Sequence, residues 1–172
     1  MNLDARFERM VREHQHGMFV FALGLTGSRA DAEDVAQDAF VRAYRALRSW
    51  DAERLDALAE KAWLRRICLN TWKNRVRAAA RRPAVALTET VAANPADSPE
   101  EQALDAVSRD EVWRAVAGLP EPQRAALTLR WVDDLSYAEV AEVMEMPVGT
   151  VKSHVSRGLV ALRRTLIGQE VA

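Results

Sequence analysis

The stretch Asp133–Arg164, DDLSYAEVAEVMEMPVGTVKSHVSRGLVALRR, carries the reading of this 172-residue chain. Ser136 and Glu139 form an S-x-x-E capping box, in which each residue satisfies a free backbone N–H of the other, so a helix starts there. Val140, Ala141 and Met144 make its inward stripe. Met146-Pro147 ends it, because proline drives its predecessor out of helical geometry and can itself open the next helix. In that second helix Val151, Val155, Leu159 and Leu162 recur at helical spacing on one side. Lys152, Ser153, Ser156 and Arg157 fall on the other. No acid lies between Glu145 and Glu170, whereas Lys152, Arg157, Arg163 and Arg164 do. A turn-linked pair of helices whose second member is cationic and free of carboxylates suits phosphates and base edges in a major groove. The plainer alternative is an αα-hairpin with a solvated basic face.

Composition agrees with a helical protein. Ala, Leu, Arg and Glu abound, glycines number only seven, and alternating β-branched runs are nearly missing. No apolar run approaches the ~20 residues that span a bilayer. Asp4 and Glu8 in an amphipathic N-terminal stretch argue against a signal peptide. Cys68 is the only cysteine, which excludes an internal disulfide and a cysteine-based zinc site. A cytoplasmic protein without membrane insertion is expected.

The net charge of −1 hides a segregation. Residues 31–60 sum to −4, residues 61–82 to +8 with no acid at all, residues 83–107 to −5 with no base, and residues 144–172 to +2. Two cationic blocks therefore occupy different parts of the chain, with an acidic one between them, and such patterning concerns partners rather than fold.

Periodicity predicts three N-terminal helices. The first, over 3–25, carries Leu3, Phe7, Met10, Val11, His14, Met18, Phe21, Ala22 and Leu25 on one stripe and ends at Gly27-Ser28. The second, over 31–48, turns Val35, Ala36, Ala39, Phe40, Ala43 and Leu47 inward. The third, over 58–81, has Leu58, Ala62, Trp63, Ile67, Leu69 and Val76 as anchors. Residues 83–107, with Pro83, Pro95 and Pro99 and only negative charge, read as a mostly unstructured tether. Helical periodicity returns at Ser108. The expected fold is therefore all-α: two small helical domains, 1–82 and 108–172, joined by a flexible linker over 83–107.

The N-terminal domain has its own chemistry. Glu33, Asp34, Gln37, Asp38, Val41, Arg42 and Arg45 share the outer face of the second helix. The run 61–82, the third helix and the residue after it, carries eight cations, with Trp63, Trp72, Asn70 and Asn74 interleaved. Basic side chains neutralise phosphates, and planar aromatics can stack on unpaired bases. Trp63, followed by Leu64 and Ile67, reads as core; Trp72 stays open between core and stacking.

At this point the residues resemble a family. ADAEDVAQDAFVRAYRAL (Ala30–Leu47) followed by AWLRRICLNTWKNRVRA (Ala62–Ala78) resembles region 2 of bacterial extracytoplasmic-function (ECF) sigma factors. LPEPQRAALTLRWVDDLSYAEVAEVMEMPVGTVKSHVSRGLVALRR (Leu119–Arg164) resembles their region 4. The resemblance covers nearly the whole chain in the family's order. It implies that Asp34, Gln37 and Asp38 dock core RNA polymerase, on the β′ coiled coil, with further contact to β. It implies that Ala46 to Trp50, with Asn70, Trp72, Lys73, Asn74 and Arg77, melt and read the −10 element of promoter DNA. Lys152, Ser153, His154, Ser156 and Arg157 would face the −35 element. The acidic tether resembles the segment that threads toward the polymerase RNA exit path, and an anti-sigma factor is implied as regulator. Departures are local: DAERLDALAEKA between Trp50 and Trp63 is a few residues longer than usual, Asn74 stands where Asp is common, His154 where Arg is frequent, and Gly158 where Ala is usual. Glycine inside a recognition helix points to close packing against its backbone.

Two other functions compete. A stand-alone helix-turn-helix regulator would act as a symmetric dimer, but no dimerisation helix is evident and a second cationic helix sits in another domain. A helical enzyme would draw on His14, His16 and His154, the only histidines. No phosphate-cradling glycine loop, nucleophile–base pair or metal-ligand set accompanies them. No cofactor or metal is expected.

Overall fold

The computed structural model describes residues 2–81 and 100–169. Eight helices occur among the described residues, with no strand. They are α1 (Leu3–Thr26), α2 (Arg29–Leu47), α3 (Ala52–Asp56), α4 (Glu60–Arg81), α5 (Glu100–Ala117), α6 (Glu121–Trp131), α7 (Tyr137–Met144) and α8 (Val148–Gln169).

The ends of these helices follow from local chemistry. Asn2 caps α1 by accepting from the Asp4 N–H at 3.1 Å. Gly27 terminates it in the left-handed region (φ 71°), where its N–H reaches the Leu23 carbonyl, a conformation glycine adopts without steric cost. Ser28 then caps α2. The predicted capping box is present: Glu139 N–H donates to Ser136 Oγ at 3.2 Å, and Ser136 N–H donates to Glu139 Oε2 at 2.8 Å. Glu145 turns the chain out of α7 at φ 55°, and α8 begins directly after Pro147.

The N-terminal lobe packs α1, α2 and α4 together; the C-terminal lobe packs α6, α7 and α8. Met10, Met18, Phe21, Leu25, Val35, Leu47, Leu64 and Leu69 are buried in the first, each contributing about 1.5–3 kcal/mol of apolar burial. Leu129, Leu135, Val140, Val151 and Val155 are buried in the second.

Several expectations are corrected. The expected third helix is α4, starting at Glu60, and the segment between Trp50 and Trp63 folds an additional short helical turn before it, α3, capped by Asp51, that the periodicity did not predict. Arg6 of α1 ties that segment down by donating to the Leu55 carbonyl at 2.5 Å and pairing with Asp56 and Glu60. Val76, expected as an anchor, is 49% exposed, at the wall of an open groove it shares with Leu25, Val35 and Arg124. Helix α5 starts at Glu100, so the last residues of the predicted tether are helical. The rest of that tether, 83–99, falls outside the described residues. On α8 the inward line runs through Val151, Val155 and Gly158, and Leu159 is 38% exposed at its edge. At Gly158 a Cβ would come within 2.6 Å of the Leu127 side chain, which explains the glycine.

The lobes also touch. Helix α1 packs on α5 and α6, and α4 packs on α7, so one apolar cluster runs from Met10 through Val155.

Candidate nucleic-acid interface

Three surfaces gather the residues singled out by sequence. On α2, Asp34 and Gln37 are exposed and Asp38 is partly covered. The carboxylates are not free. Arg75 of α4 donates to Asp38 Oδ2 through Nε (3.1 Å) and Nη2 (2.5 Å), and to the Asp34 carbonyl at 3.3 Å. Arg75 was not singled out in the sequence, since a residue 37 positions away gives no local signal for this contact. Asp34 keeps the more open carboxylate, 3.9 Å from the guanidinium.

The second surface is the cationic helix α4 with the turn before it. Trp50 and Trp63 lie with ring centroids 5.0 Å apart, and the Arg54 guanidinium covers Trp50 at 4.0 Å. Ala59, Ala62 and Arg66 help line a cleft beside these rings. Ala46 is partly covered at the end of α2, while Asn70, Asn74 and Arg77 project into solvent. Trp72, left open between core and stacking, is only 7% exposed and lies under the Arg124 guanidinium of α6 at 5.2 Å. Burial lowers the Arg124 pKa, Glu121 opposing the effect, and its Nη1 donates to the Leu25 carbonyl of α1 at 2.5 Å. Lys73 pairs with Glu121 at 2.9 Å. Lys73, expected to face nucleic acid, is thus held by the other lobe, while Arg77 is open.

The third surface is the outer face of α8. Lys152, Ser153, Ser156 and Arg157 are exposed together on two turns, and His154 is half-buried beside them with Nδ1 unpartnered. No acid shares the described part of that helix. Next to it Tyr137, Val155, Leu159 and Val160 line an apolar groove rimmed by Arg163 and Arg164.

The remaining titratable groups serve the fold. His14 stands 3.8 Å from Glu60, near Glu13. Glu60 is already engaged by Arg6 at 3.1 Å and Arg9 at 3.0 Å, so the trio is an ion-pair network. Burial, then the Arg65 charge, lowers the His14 pKa. The Cys68 thiol is buried, which pushes it up to about 12.

Comparison with known proteins agrees with this division. The model of sigma-70 region 2 matches residues 10–82, and that of sigma-70 region 4 matches residues 109–162. The ECF RNA polymerase sigma-E factor of Escherichia coli K12 is 38% identical over 165 residues, covering 91% of this chain and 84% of that protein. The RNA polymerase sigma-H factor of Pseudomonas aeruginosa is 36% identical over 169 residues, covering 93% and 86%. Among solved structures, the sigma factor RpoE of Bartonella quintana, crystallised with the anti-sigma factor NepR, superposes with a TM-score of 0.74 at 26% identity over 94% of this chain and 96% of that one. CnrH, solved with the cytosolic domain of CnrY, shares the fold at a TM-score of 0.69 and 24% identity, over 96% and 90%. Two helical lobes matching regions 2 and 4 in order define a sigma-70-type transcription initiation factor. The chain belongs to the extracytoplasmic-function family of sigma factors.

Proposed function

We propose that this chain binds core RNA polymerase, recognises two promoter elements and helps open the duplex, performing no covalent chemistry itself. The carrying observation is that two cationic runs without an acid, residues 61–81 and 152–164, lie on helices α4 and α8 of separate lobes. In this reading Asp34, Gln37 and Asp38 dock on the polymerase β′ coiled coil. Lys152, Ser153, His154, Ser156 and Arg157 face the −35 element, where polar side chains read base edges and cations hold phosphates. Ala46, Trp50, Asn70, Asn74 and Arg77 take the −10 element, with Trp72 and Lys73 joining once α6 moves off them. The longer Trp50–Trp63 segment would shape −10 selectivity through α3. No helix among the described residues is long and apolar enough to cross a membrane, in keeping with action in the cytoplasm.

An anti-sigma factor fits the same reading, because the similar RpoE of Bartonella quintana was solved bound to one. Pull-down with purified core polymerase tests the proposal. Binding is expected, and Asp34→Lys should weaken it without loss of helicity; failure of the unmodified chain to bind core would refute the reading. Run-off transcription on a genomic library would then identify the promoters.

A further inference from the structure

The two carboxylates on the outer face of α2 are one helical turn apart and are not alike. Arg75 of α4 makes the difference. Its Nε and Nη2 both donate to Asp38 Oδ2, at 3.1 and 2.5 Å, so Oδ1 takes neither bond. Nη2 also donates to the Asp34 backbone carbonyl at 3.3 Å. The Asp34 carboxylate stays 3.9 Å from Nη1, with its side chain 68% exposed against 49% for Asp38. Arg75 itself lines a groove with Val35, Trp72 and Val76, which supports its stem on the way to α2.

A carboxylate accepts through both oxygens, and an arginine fork takes the two together. Asp34 keeps both oxygens and suits such a fork. Asp38, with Oδ2 occupied, offers a second cation Oδ1 alone. The same residue type therefore presents two different acceptors. Arg75 acts on Asp38 in two opposing ways. It offsets part of the charge, which weakens the pull on an incoming cation. It also restricts the side chain, so a partner no longer has to immobilise it on binding. Both groups are substantially exposed, where charge pairs are screened and contribute little. The geometric effect is the larger.

We infer that Arg75 is a positioning residue for core docking: reaching across from α4, it holds Asp38 by Oδ2 and leaves Oδ1, with both oxygens of Asp34, as the acceptors that a guanidinium or ammonium of the polymerase meets. Arg75 acts through Asp38 and makes no contact with the partner itself. The inference rests on the proposed docking role of α2, and it adds the residue that arranges the carboxylates of that face.

Calorimetric titration of the full chain into purified core polymerase, with no DNA present, tests this. Arg75→Ala should weaken binding about two- to fivefold, the scale of an exposed charged contact. Glutamine carries its amide Nε2 where arginine has Nε, the atom that donates to Asp38 at 3.1 Å. Arg75→Gln should therefore recover most of the loss although it has no charge. In an Asp38→Ala background Arg75→Ala should add nothing, whereas in an Asp34→Ala background it should act in full. Circular dichroism checks that helicity is kept; if Arg75→Ala loses it, Arg75→Met, which keeps the stem and removes the donors, takes its place in the cycle. Tighter binding by Arg75→Ala would overturn the inference, as would equal loss in the alanine and glutamine variants or a full effect without Asp38. Each would mean that charge or a direct contact, and not the placing of Asp38, carries the effect. Core binding that is flat across the Arg75 series refutes the positioning role alone, whereas no core binding by the unmodified chain refutes the docking reading and this inference with it.

Discussion

The two cationic helices of this sigma factor make a natural comparison. On α8 Lys152, Ser153, Ser156 and Arg157 stand in solvent. On α4 Arg65 is buried, Trp72 is covered, and Lys61, Arg66 and Lys73 are taken up by the opposite lobe. The contrast shows that a run of positive charge says what a helix can bind, while its neighbours set whether that surface is open. Helix α8 turns its charge away from the core because its apolar line, Val151, Val155 and Gly158, is used up against α6 and α7. Helix α4 lies between two partners. Its apolar side packs into the N-terminal lobe, and part of its charged side is met by α7.

That contrast can be tested most severely at Arg65. Arg65→Ala leaves Asp133 buried without a partner, so the packing of the two lobes should lose about 3–5 kcal/mol. Amide hydrogen exchange in α6 and α7 should quicken accordingly; unchanged exchange would mean that the covering of α4 does not depend on this pair. At the bare surface, Arg157→Ala should leave thermal stability unchanged, since the residue is exposed. Its effect should appear as a loss of about 1–3 kcal/mol in discrimination at one −35 base pair. Mobility-shift competition with single-base variants reads this, and an unaltered sequence preference would exclude base reading.

Smaller effects lie at the supports of each surface. Ser136→Ala removes the cap of α7 and should cost about 1 kcal/mol of stability, measured by denaturant unfolding. Its partner Glu139 has its carboxyl held below the ordinary range by the Ser136 hydroxyl, then by the Ser136 N–H. The capping contribution is therefore present at neutral pH and lost as pH falls through that lowered value. His14, under α4, behaves differently. Its folded pKa is depressed by burial, so the unfolded chain takes up the proton first, below about 6.5. A modest loss of stability is expected from there down to the lowered value, and His14→Gln should flatten that part of the profile.

Much of the candidate site was legible because it is local. The capping box, the Pro147 break and the acid-free run after Glu145 involve residues within a turn or two of one another, where backbone geometry leaves few choices. Gly158 was readable as a close approach, and the structure supplies Leu127 as the neighbour. Leu159 was misplaced because positions 158 and 159 are adjacent on the helix, and only the location of α6 selects which one faces in. The start of α5 at Glu100 was missed because prolines and acids there resemble a linker.

What the sequence determined by itself is the long helices, the Ser136–Glu139 cap, the two cationic blocks and membership in a two-lobed fold, since all of these rest on periodicity and charge along the chain. Only the tertiary structure decided that Arg75 clasps Asp38, that Trp72 lies beneath Arg124, and that Arg65 meets Asp133 across 68 residues. Those contacts depend on the angle at which whole helices cross. That angle is set by the summed packing of many side chains, which no single stretch of sequence contains.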